Sequence, residues 1–233
     1  YRSAVKLSST YYSNFLKFQR SDGRCHPFYW AAAAKTGRMS ATEPAILTVP
    51  RPDDDKSDAV REVRNSFVAP EGFVLISTDF SNVEARIFAH YANEYGMIDA
   101  FNQGINLHKF TASQIFQKPI DEIDKGHSEY TIAKNTLFCT LFGGGAMKIA
   151  TTAGIPFEEG KAAQDGLYRA FPGIKAFQRR STMVATDNLK AHGQAFIRGV
   201  DGRILAMVET DDRYYAFTNW QIQSTANVVL KMR

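Results

Sequence analysis

Residues 72–86 read GFVLISTDFSNVEAR. The uninterrupted apolar run at 73–77 predicts a buried strand. The segment from Asn82 to Ala92 that follows carries Val83, Ile87, Phe88 and Tyr91 at helical spacing, which predicts a helix burying those four side chains. A strand feeding a helix is the α/β arrangement. Asp79 stands where the strand stops, and Glu84 lies one turn further on. A carboxylate at the carboxyl end of a strand is a hard oxygen ligand of the kind Mg²⁺ takes, with substrate phosphates completing the shell. The same letters carry a purely structural reading. An aspartate ahead of a helix commonly caps free backbone N–H groups, and Ser81-Asn82-Val83-Glu84 matches a capping box in which Glu84 reaches back to Ser81.

About fifty residues on, 130–143 reads YTIAKNTLFCTLFG. Lys134, Phe138 and Phe142 recur every four residues and share one side of the predicted helix, while Ile132, Ala133, Thr136, Leu137 and Thr140 supply a packing face elsewhere around it. An amphipathic helix with an aromatic row in the core fits this spacing too. The functional reading is that a cation followed by two rings suits a nucleoside triphosphate, whose phosphates attract positive charge and whose base stacks on a flat surface. Gly143-Gly144-Gly145 lacks the Lys-Ser/Thr of a phosphate-binding P-loop and reads as a helix terminator.

The remaining chain bounds the possibilities. Its 233 residues are 44% apolar, enough to fill a core in one large or two modest domains. Lysine and arginine number 28 against 24 acids, a net charge of +4 that suits a polyanionic partner without specifying one. Cys25 and Cys139 have no metal-ligand spacing and read as reduced thiols in a cytoplasmic setting. No apolar stretch approaches the roughly 20 residues of a membrane helix, and no leader pattern opens the chain. The chain begins at Tyr1 without methionine and stops at Arg233 inside an apolar-periodic run, which reads as a segment cut at both ends.

Helical spacing is expected over 1–18, strand-like character over 25–34, and a surface loop over 50–55, where two prolines and an acidic run exclude regular structure. Helical patterns dominate 106–168 with breaks at Pro119, 143–145 and 154–156. The pair Asp201-Gly202 predicts a hairpin between 194–198 and 203–208. Arg38, in the Thr36-Gly37-Arg38 turn, presents a guanidinium to bases or phosphates. Asn219 and Gln223, four residues apart on the last helix, can donate and accept at minor-groove base edges. Asp53-Asp54-Asp55 and Asp211-Asp212 read as a loop and a cap, not as metal clusters. His26, His90, His127 and His192 show no ligand spacing.

Taken in order, these segments resemble the family A DNA polymerases, the bacterial DNA polymerase I group, in a bacteriophage form. Thr36-Gly37-Arg38-Met39-Ser40 is similar to the family's T-G-R-L/M-S stretch. Asp79-Phe80-Ser81-Asn82-Val83-Glu84-Ala85-Arg86 is similar to its motif A, D-Y-S-Q-I-E-x-R. Lys134, Phe138, Phe142 and Gly143 resemble motif B, R-x₃-K-x₃-F/Y-x₃-Y-G, and 219–225 resembles N-x-P-x-Q-G-T. The resemblance implies that Asp79, with the Phe80 carbonyl, holds two Mg²⁺ ions. It implies that Ser81, Glu84, His108, Lys134, Phe138 and Phe142 surround the incoming nucleotide, with Glu84 excluding a 2′-hydroxyl. Arg38, Asn219 and Gln223 would touch primer-template DNA.

The implied architecture is a right hand of mixed α/β (α+β) class. Residues 1–24 would end a thumb, 25–105 form the first part of a palm, 106–208 form helical fingers and 209–233 return to the palm. Tyr130 stands where motif B begins with arginine, Phe142 where tyrosine is usual, and Leu47 and Thr48 replace a polar pair. Phe138 in place of tyrosine resembles relatives that discriminate against dideoxynucleotides. Motif C, His-Asp-Glu, does not occur, so its metal-binding carboxylate would come from a further C-terminal segment or a second polypeptide. The implied activity is two-metal, template-directed DNA synthesis from deoxynucleoside triphosphates. The alternatives are a non-catalytic primer-template-binding piece and a single-subunit RNA polymerase, which would not carry Glu84 at the sugar. Everything depends on Asp79 and the Lys134 row facing one cleft.

Overall fold

The computed structural model describes residues 5, 7–49, 58–208 and 211–232. The fold is mixed α/β and mostly helical, and it divides into two compact units, residues 1–80 and 81–233. The acidic, proline-flanked run at 50–55 lies outside the described residues.

In the first unit a π-helical run, Leu7–Tyr12, continues into α1 (Ser13–Lys17), as the helical spacing predicts. Tyr11 anchors it: the buried ring stacks on Phe15, and its hydroxyl donates to the Thr48 carbonyl at 3.1 Å. Phe15 in turn meets Phe67 edge-on at 5.2 Å. Strand β1 (Phe28–Trp30) pairs antiparallel with β2 (Ser40–Thr42), Tyr29 opposite Ala41. The strand is shorter than the 25–34 expected. Helix α2 (Asp58–Asn65) completes the regular elements of this unit.

The strand expected at 73–77 does not form. Those residues run outside any sheet, with Phe73, Val74, Leu75 and Ile76 exposed by 72%, 79%, 70% and 83%. A buried strand needs a neighbour for every second backbone N–H and C=O. The sheets among the described residues are two antiparallel pairs, and neither includes this run. The apolar pattern is present, but nothing in these residues pairs with it.

The second unit is helical. Helix α3 (Val83–Ala92) is followed by α4 (Tyr95–Asn102), α5 (Leu107–Phe116), α6 (Ser128–Leu141), α7 (Ala146–Ala153), α8 (Phe157–Ala170) and α9 (Pro172–His192). The hairpin β3 (Phe196–Arg198) and β4 (Ile204–Ala206) comes next, then α10 (Ala216–Lys231). The breaks fall at Pro119 and at the two glycine-containing turns, and the hairpin pairs Ile197 with Leu205, all as read from the sequence.

The core gathers Phe88, Met97, Leu137, Leu141, Leu167, Ile174, Phe177 and Ile222. On α3, Phe88 is buried as expected. Val83, Ile87 and Tyr91 are only half-buried, because Ala85, Ala89 and Ala92 form the inner line. Small residues there let α9 and α10 close on α3, so Phe177 meets Phe88 edge-on at 5.3 Å and stacks on Tyr91 at 5.4 Å. The approach is closest at Gly173, where any Cβ would collide with the Ala92 carbonyl. The buried Glu94 carboxylate accepts the backbone N–H of Gly173, capping the start of α9.

Candidate nucleotide and metal site

Helix α5 starts cleanly because the Asn106 side chain accepts the N–H groups of His108 and Lys109, at 3.0 and 3.1 Å. This fixes His108 in the first turn, against α6. Its ring lies 5.7 Å from Tyr130, edge-on, and 5.4 Å from Phe138; Phe138 stacks on Phe142 at 6.1 Å. Lys134 projects from the same side of α6, one turn before Phe138, and is exposed. Ala133, Thr136, Leu137 and Thr140 are buried on the other sides, the division the spacing predicts, with Ile132 only half-buried.

Burial, and then the Lys134 charge, bring the His108 imidazole down from its ordinary value to about 4. At neutral pH it is therefore an uncharged ring, and its buried Nδ1 has no hydrogen-bond partner among the described residues. The positive charge of this face belongs to Lys134. Tyr130, read as a departure from the family pattern, packs beside Ala112, Ile123 and Ala133 and against His108. It occupies space as well as replacing a cation.

Helix α6 ends at Leu141, and Gly143 adopts φ +78° as its terminator. Two glutamines hold this end. Gln164 donates to the Gly144 carbonyl at 2.9 Å and to the Thr140 hydroxyl at 3.2 Å, and Gln178 donates to the Thr140 carbonyl at 2.7 Å. Sequence reasoning missed both, since isolated glutamines on neighbouring helices carry no pattern.

On α10, Asn219 and Gln223 are half-buried one turn apart, and the Asn219 Oδ1 has no hydrogen-bond partner among the described residues. At the start of α3 the capping box is not made. The N-cap is Asn82, left-handed at φ 53°, and its side chain makes no capping hydrogen bond. A capping box needs an extended Ser at the N-cap with Glu at the third helical position. Here the helix starts one residue later, which makes Glu84 its second residue. The Ser81 carbonyl instead accepts Arg86 Nε at 3.0 Å, and the Arg86 guanidinium lies 4.3 Å from the centre of the Phe101 ring.

In the first unit, Arg38 is exposed at the end of a turn closed by Gly37 N–H to the Ala34 carbonyl at 2.8 Å, with Gly37 at φ +77°. Asp79 is exposed and Phe80 half-buried at the end of the 73–80 stretch, which forms no helix or strand. No group of three or more His, Cys, Asp or Glu side chains suited to a metal occurs among the described residues. The donors present, one exposed carboxylate and a neighbouring carbonyl, are hard oxygens. They suit Mg²⁺ in kind, as a cation that takes few protein ligands and fills its shell from water and phosphate. Cys25 and Cys139 are free thiols, and no helix of the described residues is long and apolar enough to cross a membrane.

DNA polymerase I of Pseudomonas aeruginosa is 30% identical over 240 residues, covering 99% of this chain and 25% of that protein. The DNA polymerase of Mycobacterium phage D29 is 34% identical over 224 residues, covering 96% of this chain and 34% of the relative. The chain thus spans about a quarter to a third of these curated relatives. Among solved structures, the POL domain of Pol1 from M. smegmatis, in complex with DNA primer-template and dNTP, superposes with a TM-score of 0.81 at 29% identity. That match covers 98% of this chain and 40% of the other. The family described as DNA polymerase family A matches residues 1–233 from end to end, and the chain belongs to it.

Proposed function

We propose that the chain serves template-directed DNA synthesis, adding deoxynucleoside triphosphates to a primer 3′ end. The observation that carries this is the single row of His108, Lys134, Phe138 and Phe142 on one side of the second unit, in a chain matched throughout by the family. The solved relative bound to primer-template and dNTP supports the same ligands here.

In this reading Lys134 neutralises triphosphate charge, and neutral His108 donates a hydrogen bond to a phosphate oxygen. Phe138 and Phe142 offer flat surfaces to sugar and base, while Ser81 and Glu84 at the start of α3 border the sugar and exclude a 2′-hydroxyl. Arg38, Asn219 and Gln223 contact the duplex without reading its sequence. Asp79 and the Phe80 carbonyl would hold Mg²⁺, which when bound supplies activation of the primer hydroxyl and neutralisation of the transferring phosphoryl group. A further carboxylate, from a segment or polypeptide beyond these residues, would complete that ligand set. Residues 1–24, 25–105, 106–208 and 209–233 would correspond to the end of a thumb, the first part of a palm, the fingers and the return to the palm. The setting would be cytoplasmic.

The test is primer extension by the product of the complete gene. Asp79→Ala is expected to lower extension by at least a hundredfold while primer-template affinity changes less than threefold. Near-normal extension by that variant removes Asp79 from the metal site and overturns the reading.

A further inference from the structure

On another side of the second unit, α9, the β3 strand and α10 enclose a groove of about 520 Å³, a volume in the range of small-molecule sites. None of the residues assigned above to nucleotide, metal or duplex lines it. Its permanently charged lining is one-signed: the residues around it include Arg180 and Arg198, with His192 beside them, and no acidic residue lines it among the described residues.

Both arginines are held in place. Arg180 donates to the Tyr91 carbonyl at 2.7 Å and lies over the Phe177 ring, while Arg198 lies over Phe196. Each engages only part of its five-donor fork in these contacts. A second observation is independent of charge. Ser181, in the wall of the groove, is only 4% exposed, yet its Oγ has no hydrogen-bond partner among the described residues. A buried hydroxyl is normally paired, and this one belongs to a residue in the wall of the groove and has no partner among the described residues.

We propose that this groove is a phosphate-binding site, with Arg180 and Arg198 gripping the anion and the Ser181 hydroxyl donating to one of its oxygens. Planar, always-charged guanidinium groups match phosphate oxygens in pairs. The ligand class is a phosphate monoester on a small organic anion, a nucleoside monophosphate among them, or the same group presented by a DNA strand. The site does not depend on the fingers face, and it stands or falls separately from the polymerase reading.

The test is calorimetric titration of the 233-residue chain with deoxyadenosine monophosphate, together with the NMR shift of the Gln221 side-chain amide, which also lines the groove. Saturable binding that moves the Gln221 signal is expected. Ser181→Ala and Arg198→Ala are each expected to weaken it about tenfold, and Lys134→Ala to leave the Gln221 response unchanged. Arg198 is exposed on its strand, so its removal is not expected to disturb the fold, which circular dichroism checks. A single-stranded oligonucleotide that competes in wild type but not in the two variants assigns the phosphate to a DNA strand; failure to compete assigns it to the free nucleotide. Absence of saturable binding, or equal affinity in wild type and both groove variants, overturns the proposal.

Discussion

His108 shows how a single residue's role changes once its surroundings are known. A histidine aimed at a triphosphate suggests a second cation, yet burial and the neighbouring Lys134 hold it uncharged at neutral pH, with its pKa near 4. The consequence for stability has a definite sign. An unfolded histidine titrates near 6.5, so between about pH 6.5 and 4 the unfolded chain binds a proton that the folded chain refuses. Stability is therefore fully present above pH 6.5 and is lost as pH falls toward 4. Denaturant unfolding followed at pH 8 and pH 5 is expected to show a smaller loss for His108→Gln than for wild type, and Lys134→Ala is expected to raise the His108 titration midpoint by NMR. Parallel stability curves for wild type and His108→Gln would mean that the imidazole is not buried as described.

At the scale of the element, α6 was the most legible part of the chain and its support the least. The row of Lys134, Phe138 and Phe142 and the glycine stop after it follow from residue spacing and backbone freedom, which are local properties, and the helix obeys them. Gln164, Gln178 and Tyr215 come from later segments, and only tertiary packing brings them to the end of α6. The apolar 73–77 run failed for the complementary reason, since a strand is defined by a partner that the local pattern does not contain. Gly143 joins the two levels. It needs a positive φ, and the Tyr215 ring sits so close that an added Cβ would lie 2.6 Å from it. Gly143→Ala is expected to cost about 1–3 kcal/mol from the backbone alone and more from the collision, lowering the melting temperature by several degrees. Tyr215→Ala in the same chain is expected to recover the collision part and leave the backbone part. A Gly143→Ala chain that melts with wild type would show that the turn is not fixed in this conformation.

Across the 233 residues taken together, one apolar run stands uncovered among the described residues beside a modest net charge of +4. Phe73, Val74, Leu75 and Ile76 are consecutive and more than two-thirds exposed, whereas ordinary surfaces scatter such residues singly. Fully burying one large apolar side chain contributes about 1.5–3 kcal/mol, so covering all four gains about 6–12 kcal/mol before costs. Association itself costs about 4–15 kcal/mol. The two nearly cancel, and the expected outcome for the 233-residue chain is weak, concentration-dependent self-association rather than a tight dimer. Sedimentation velocity is expected to show the weight-average coefficient rising with concentration in wild type and staying flat in a Val74→Lys, Ile76→Lys chain. Those positions lie outside every packed cluster of the described residues, so circular dichroism of the variant should match wild type. A wild-type chain that stays monomeric at high concentration would show that this run is already covered, and the exposed, unpaired description of 73–77 would then fail with it.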